Sequence, residues 1–149
     1  MASLLKERLQ EDLKAVMRAQ DKATLGAMRL MMAAIKQKEV DERVELSDEE
    51  IIALFDKLAK QRLDAIEQFQ AAGRTDLVDK ETFELNLLRK YMPEPLSHEA
   101  IVALVTEHIA AAGATSMKDM GAVMAALKPL LQGRADMAMV SKLIKEKLQ

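Results

Sequence analysis

Apolar residues recur along the chain at helical spacing, and polar runs divide them into seven segments. In the first segment, residues 3–20, Leu5, Leu9 and Leu13 lie four residues apart and form one slowly drifting stripe of a helix. The second segment, residues 21–42, is apolar almost all round, a pattern typical of a helix at the centre of a bundle. No segment shows the alternating pattern of a β-strand. The pattern predicts an all-α protein.

Capping residues and helix breakers predict where these helices begin and end. Ser47 and Glu50 have the spacing of an N-terminal capping box, and Gly73 is suited to the left-handed residue that ends the same helix. Gly26 predicts a close approach of neighbouring helices, and residues 39–46 predict a polar loop. The other predicted N-caps are Ser3, Asp21, Ser97, Ser116 and Asp136, and the other predicted ends or kinks are Gly113, Pro129 and Gly133.

Two prolines mark the predicted domain boundary. Pro93 and Pro95 flank Glu94, so they stop one helix and stiffen an extended link. Four helical segments precede this link and three shorter ones follow it. We therefore predict an N-terminal domain resembling a four-helix bundle over residues 1–93 and a small three-helix tail domain over residues 94–149.

The amino-acid composition mainly excludes certain kinds of functional site and partner. The 149 residues include no cysteine, three phenylalanines, one tyrosine and no tryptophan, and the net charge is −2. Disulfides, thiolate nucleophiles and zinc knuckles are excluded, and platforms that stack unpaired bases are disfavoured. No apolar run approaches the roughly 18 residues of a membrane span, and the first residues do not read as a signal peptide. We expect a cytoplasmic protein without a membrane or DNA partner.

The one charge asymmetry lies near the C-terminal end. Residues 118–149 contain six Lys or Arg and three Asp or Glu, a net charge of +3. These basic residues can line one surface that contacts phosphate, although ordinary solubilising lysines are the alternative interpretation. The basic residues Lys57, Lys60 and Arg62, in the third segment, are interpreted as part of a solvated face balanced by nearby acids.

Candidate catalytic and metal-binding groups are few. His98 and His108 lie ten residues apart, roughly 80° from a shared helix face, so they cannot form the i, i+4 pair of a helical metal site. The sequence contains no glycine-rich phosphate loop and no nucleophile elbow. We predict no catalytic residue, cofactor or metal. The acidic run between the second and third segments reads as a polar turn without the spacing of a calcium loop: Glu39, Asp41, Glu42 and Glu45.

Several segments, taken in order, resemble the GatB/YqeY family. Each motif is weakly specific by itself, but the ordered set runs nearly from end to end and keeps its spacing. The motifs are Arg29-Leu30-Met31-Met32-Ala33-Ala34-Ile35-Lys36, residues 45–50 leading to Lys60-Gln61-Arg62, residues 72–77, residues 91–94, residues 113–121, and residues 133–136 followed by Val140-Ser141.

The resemblance implies a relation to tRNA. Residues 95–149 are similar to the tail domain of the B subunit of tRNA-dependent amidotransferases, which convert Glu-tRNA or Asp-tRNA to the amide with glutamine as nitrogen donor. The family label is therefore a carbon–nitrogen ligase, but the catalytic cradle of that subunit has no counterpart here. By position, the resemblance implies tRNA-binding roles for Lys118, Gly121, Lys128, Gly133 and Arg134, and the basic residue Lys142 is added to this set.

We therefore expect a non-catalytic, tRNA-binding accessory protein of the amidotransferase type, with an amidotransferase or synthetase as a further partner. Two alternatives stay open. One is a protein–protein interaction module that uses methionine-rich helical faces, since the chain contains 11 methionines and methionine repacks easily. The other is an enzyme component whose catalytic groups come from another subunit.

Overall fold

The computed structural model describes residues 3–149, and over this range it contains helices and no strands. The all-α class is therefore confirmed; residues 1 and 2 of the predicted N-terminal domain lie outside the described part. The elements are α1 (Leu4–Arg18), α2 (Lys22–Glu42), α3 (Asp48–Ala71), α4 (Thr75–Arg89), α5 (His98–Ala112), a 3₁₀ helix (Met117–Asp119), α6 (Met120–Leu131) and α7 (Met137–Leu148).

The helices form two compact units, one ending at Met92 and the other beginning at Pro93. In the first unit, α1 to α4 enclose a core that contains Phe55, the largest fully buried side chain among residues 3–149. In the second unit, α5, α6 and α7 enclose a core of aliphatic side chains only. The four aromatic residues all precede Pro93, so the second unit contains none.

The predicted helix ends are confirmed where local chemistry determines them. The Ser47 N–H donates to Glu50 Oε1 at 3.2 Å, and the Glu50 N–H donates back to Ser47 Oγ at 3.2 Å, which forms the capping box of α3. Gly73 and Gly113 adopt φ values of +69° and +63° immediately after α3 and α5. Ser97 caps α5 through a hydrogen bond from the Ala100 N–H.

The sequence interpretation of α2 is wrong in two respects. Leu30 is 54% exposed and Val40 is 62% exposed, so the helix is not enclosed on all sides. α3 and α4 pack most extensively against each other, which leaves part of the apolar surface of α2 uncovered. Gly26 faces open space, because apart from its chain neighbours and the backbone of its own helix no atom lies within 4 Å of the position that a Cβ would take. The predicted close packing of a neighbouring helix at Gly26 is therefore not observed.

In the second unit, Pro129 lies inside α6 and does not end it. The helix continues through Pro129 to Leu131, and the chain then reverses at Gly133 with φ of +77°. Within residues 3–149, no single helix has the length and apolarity needed to cross a membrane; α5 combined with residues 117–131 passes by length and composition, but this pair bends by 101°.

Candidate functional site

The exposed side of α6 carries two of the six residues assigned to tRNA. Gly121 and Lys128 lie seven residues apart, which places them on the same side of the helix. Both are exposed, whereas Val123 and Leu127 on the opposite side are completely buried. The helix therefore holds Lys128 away from the core through the same periodicity that buries its apolar stripe.

Lys118 lies ten residues before Lys128, so at 100° per residue it is about 80° around the axis from Lys128, on the neighbouring part of the exposed surface. It lies in the 3₁₀ helix that runs directly into α6, and its side chain is exposed. At a rise of about 1.5 Å per residue, Lys118 and Lys128 are roughly 15 Å apart along the helical segment. We call Lys118, Gly121 and Lys128 the α6 face.

The two acidic residues that lie nearest to Lys128 in sequence accept helix-capping hydrogen bonds. Asp119 Oδ2 accepts hydrogen bonds from the Thr115 N–H at 3.0 Å and the Ser116 N–H at 3.3 Å. Asp136 Oδ1 accepts from the Ala138 N–H at 3.0 Å. Between these two residues the sequence contains no Asp or Glu. The segment is thus uncharged or positive between its two capping carboxylates.

The turn after α6 is hydrogen-bonded to the extended segment that precedes α5. The Arg134 Nε–H donates to the Glu94 carbonyl oxygen at 3.1 Å, and the Arg134 carbonyl accepts from the Leu96 N–H at 2.9 Å. Arg134 thereby fastens the extended segment that begins at Pro93 to the α6–α7 turn. Arg134 as a residue is partly exposed, and one guanidinium donor is used within the fold.

Lys142 lies on a different helix from the α6 face. On α7, Val140 and Ile144 are completely buried, and Lys142 lies exposed between them in sequence on the outer side. The six assigned residues are thus divided between the exposed side of α6 with its preceding turn, the α6–α7 turn, and the outer side of α7.

The histidines and the acidic run contribute no metal site. Within residues 3–149, no group of three or more metal-ligating side chains lies close enough to hold an ion. His108 Nδ1 lies 2.8 Å from the Leu104 carbonyl oxygen. The predicted polar loop begins later than expected, because α2 continues to Glu42.

Glu39 belongs to α2 and has a structural role that the sequence interpretation missed. Its carboxylate accepts from Lys6 Nζ at 2.8 and 3.0 Å and from the Leu46 N–H at 2.9 Å. These bonds lower the pKa of Glu39, with the Lys6 contact as the largest cause and the Leu46 contact next. One side chain therefore links α1 to the loop that leads into α3.

A charged cluster in the first unit also escaped the sequence interpretation. Lys60 is exposed and pairs with Asp56 at 3.4 Å, as expected for a solvated face. Arg62 instead turns toward α4, where its Nε lies 3.1 Å from Glu84 Oε2 and its Nη1 lies 3.5 Å from Glu81 Oε2. We call Arg62, Glu81 and Glu84 the Arg62 cluster. The sequence contained a signal for the burial of Glu84, because this residue lies on the helix stripe that also contains Leu88.

Tyr91 forms a second polar contact between distant parts of the first unit. Its hydroxyl donates to Asp12 Oδ2 at 2.6 Å, and the Arg8 guanidinium lies 4.7 Å from the centre of its ring. Burial is the largest cause that raises the pKa of Tyr91, and the bond to Asp12 raises it further. The contact secures the C-terminal end of α4 against α1.

These features define a helical protein of two units, with exposed lysines on the second. A sequence model of the family described as Yqey-like protein matches residues 6–148. The chain belongs to this family, which confirms the membership predicted from its ordered motifs.

Fungal relatives match part of the chain. It is 41% identical over 93 residues to "Altered inheritance of mitochondria protein 41, mitochondrial" of Saccharomyces cerevisiae, which covers 61% of this chain and 50% of that protein. The protein of the same name from Eremothecium gossypii is 39% identical over 85 residues, covering 56% of this chain and 46% of the relative. The chain thus spans about half the length of the curated relatives it matches.

Proposed function

We propose that the protein is a non-catalytic accessory factor whose second unit binds tRNA through its phosphate backbone. The observation that carries this proposal is the α6 face, where exposed Lys118 and Lys128 flank Gly121, and where the acidic residues nearest to Lys128 in sequence, Asp119 and Asp136, accept helix-capping hydrogen bonds. Lysine ammonium groups are suited to phosphate as point charges, and they contact it without reading sequence.

The absence of aromatic residues after Pro93 supports backbone contact rather than base stacking. Lys142 on α7 supplies a further positive charge, and Gly133 and Arg134 contribute through the turn that follows α6. An amidotransferase or synthetase remains the proposed protein partner. The cytoplasmic location also stays a prediction, because the fungal relatives carry the word mitochondrial in their names.

A fluorescence-anisotropy titration of bulk tRNA tests the proposal. With three phosphate contacts, affinity should fall about 20- to 40-fold between about 50 and about 200 mM monovalent salt. Lys118→Glu combined with Lys128→Glu should weaken binding at least tenfold at the lower salt and reduce the salt slope by about two. These two exposed lysines are preferable to Arg134, whose replacement would also break the bond to the Glu94 carbonyl.

The matched control is Lys36→Glu combined with Lys57→Glu, which changes the net charge equally at two exposed positions of the first unit. This control should bind like the wild type after correction for the general charge effect. The proposal fails if tRNA does not bind at about 50 mM salt, or if the control weakens binding as much as the α6-face variant.

A further inference from the structure

The turn between α1 and α2 is short, and its left-handed residue is not a glycine. Residues 19–21 join the two helices, and Gln20 has a φ of +57°. The Gln20 N–H donates to the Met17 carbonyl oxygen at 3.2 Å, and the next N–H donates to the Val16 carbonyl oxygen at 3.3 Å, which is the pattern of a Schellman turn. Because a Cβ disfavours the left-handed region, the turn holds Gln20 in a strained conformation.

Glycine occupies the corresponding position of two other turns. Gly73 and Gly113 adopt φ values of +69° and +63°, and each N–H donates to the carbonyl oxygen three residues earlier at 3.1 Å. Glycine adopts this conformation without a steric cost. Around the first turn, by contrast, the sequence from residue 3 to residue 25 contains no glycine or proline. Arginine, alanine and glutamine, which occupy positions 18–20, are good helix formers, so this segment can also continue α1 as a helix.

The buried stripes of α1 and α2 are in phase for such a continuous helix. In an uninterrupted helix of about 100° per residue, the buried residues of both elements would lie within an arc of about 140°. That width is typical of one apolar face of a helix. Residues 4–42 would therefore present a single apolar face as one helix. The buried residues are Leu5 and Leu9 of α1, and Ala27, Met28, Met31 and Ile35 of α2.

The contacts that hold α1 on the first unit join residues far apart in sequence. Lys6 Nζ lies 2.8 Å from Glu39 Oε1, the Leu5 N–H donates to Asp48 Oδ1 at 3.1 Å, and Asp12 accepts from the Tyr91 hydroxyl. None of these contacts involves residues 19–21. A copy of α1 from a second chain can make every one of them, because none requires α1 and α2 to belong to the same chain.

We propose that two copies of the chain exchange α1, with residues 19–21 helical in each copy and each α1 packed in the place that the other copy's α1 leaves. The exchange removes the left-handed conformation of Gln20 and retains the contacts of α1. Short, strained hinge loops favour exchange of this kind. Because the short turn keeps α1 close to its own core, the exchanged dimer requires a high protein concentration. The inference concerns the first unit and does not depend on the tRNA proposal.

Zero-length cross-linking of the full chain tests the exchange. Equal amounts of ¹⁴N-labelled and ¹⁵N-labelled chain are unfolded together in urea, refolded at about 0.5 mM and separated by size. A carbodiimide then joins the Lys6 ammonium to the Glu39 carboxylate, which already form an ion pair. In an exchanged dimer, about half of the cross-linked peptides should combine both isotopes, because each pair comes from two chains. A chain that stays monomeric, or a dimer whose Lys6–Glu39 cross-links are isotopically pure, would overturn the proposal.

Substitutions at the hinge should shift the dimer in opposite directions. Gln20→Gly should raise the Kd of the dimer about 100-fold, about tenfold at each of its two hinges, because glycine relieves the turn and weakens the continuous helix. Asp21 caps α2 by accepting from the Thr24 N–H at 3.1 Å, so Asp21→Ala should lower the Kd about 30-fold.

The matched control is Arg43→Gly, which places glycine at the left-handed residue that ends α2, where φ is +56°. It relieves a similar conformation outside the hinge, so the Kd should change by no more than about twofold. Equal shifts for Gln20→Gly and Arg43→Gly would overturn the proposal. A weaker dimer of Asp21→Ala would also overturn it.

Discussion

Replacing Glu39 by glutamine tests how the first unit is held together. The glutamine keeps an oxygen that can accept from the Leu46 N–H, but it removes the charge that faces Lys6. A hydrogen bond to a charged group contributes about 1.5–3 kcal/mol. The side chains of Lys6 and Glu39 are 30% and 15% exposed, so solvent screening favours the lower end of that range. We expect a loss of about 1.5 kcal/mol, which corresponds to roughly 6 to 12 °C in Tm for a unit of this size.

The assay can observe the first unit alone. Tyr91 is the only tyrosine and the chain has no tryptophan, so tyrosine fluorescence during urea unfolding reports on this unit. Glu39→Ala should cost about 1 kcal/mol more than Glu39→Gln, because it also leaves the Leu46 N–H without its acceptor. Lys6→Met completes a double-mutant cycle that isolates the pair.

The pH dependence gives an independent check with a defined sign. The contacts with Lys6 and Leu46 lower the pKa of Glu39 from its ordinary value of 4.5. The stabilisation is therefore complete above pH 4.5 and is lost as the pH falls through the lower pKa of the folded state. The difference between wild type and Glu39→Gln should shrink over that interval. A difference below about 0.5 kcal/mol near neutral pH, or one that persists unchanged in acid, would refute the reasoning.

Three further substitutions test other parts of the fold by denaturation followed with circular dichroism. Tyr91→Phe should cost about 1–2 kcal/mol of stability by removing the bond to Asp12. The raised pKa of Tyr91 means that the folded state favours the neutral hydroxyl, so the wild type should lose stability above pH 10. Tyr91→Phe should abolish that loss. Gly113→Ala should destabilise the second unit by about 1 kcal/mol, since φ is +63° there although space is available. Gly26→Ala should stabilise the first unit by about 0.5–1 kcal/mol, because that residue is helical and faces open space.

Sequence reasoning succeeded where a structural feature depends on residues close together in the chain. The capping box of Ser47 and Glu50 involves groups three residues apart, and the left-handed residues Gly73 and Gly113 follow from the steric freedom of glycine. The buried stripe of α6 and the exposure of Lys128 both follow from a single helical period. Such features need no knowledge of how the helices pack.

Features that depend on partners distant in sequence escaped prediction. The apolar surface of α2 indicated a central helix, but how much of it is covered depends on where α3 and α4 pack. The donor of the Arg134 bond and its Glu94 acceptor are 40 residues apart, so the structural role of Arg134 left no local trace. Arg62 was interpreted as solvated because its partners lie on α4. The unrecognised positions are mostly charged residues, whose environment helical periodicity does not determine.

For the proposed tRNA-binding role, the division of chemistry between the two units limits how selectivity among tRNAs can arise. The second unit offers lysines but no aromatic residue, so contact through the α6 face distinguishes one RNA from another only weakly. If the protein acts on particular tRNAs, the selection among tRNAs must come from RNA shape or from a second protein that presents the RNA.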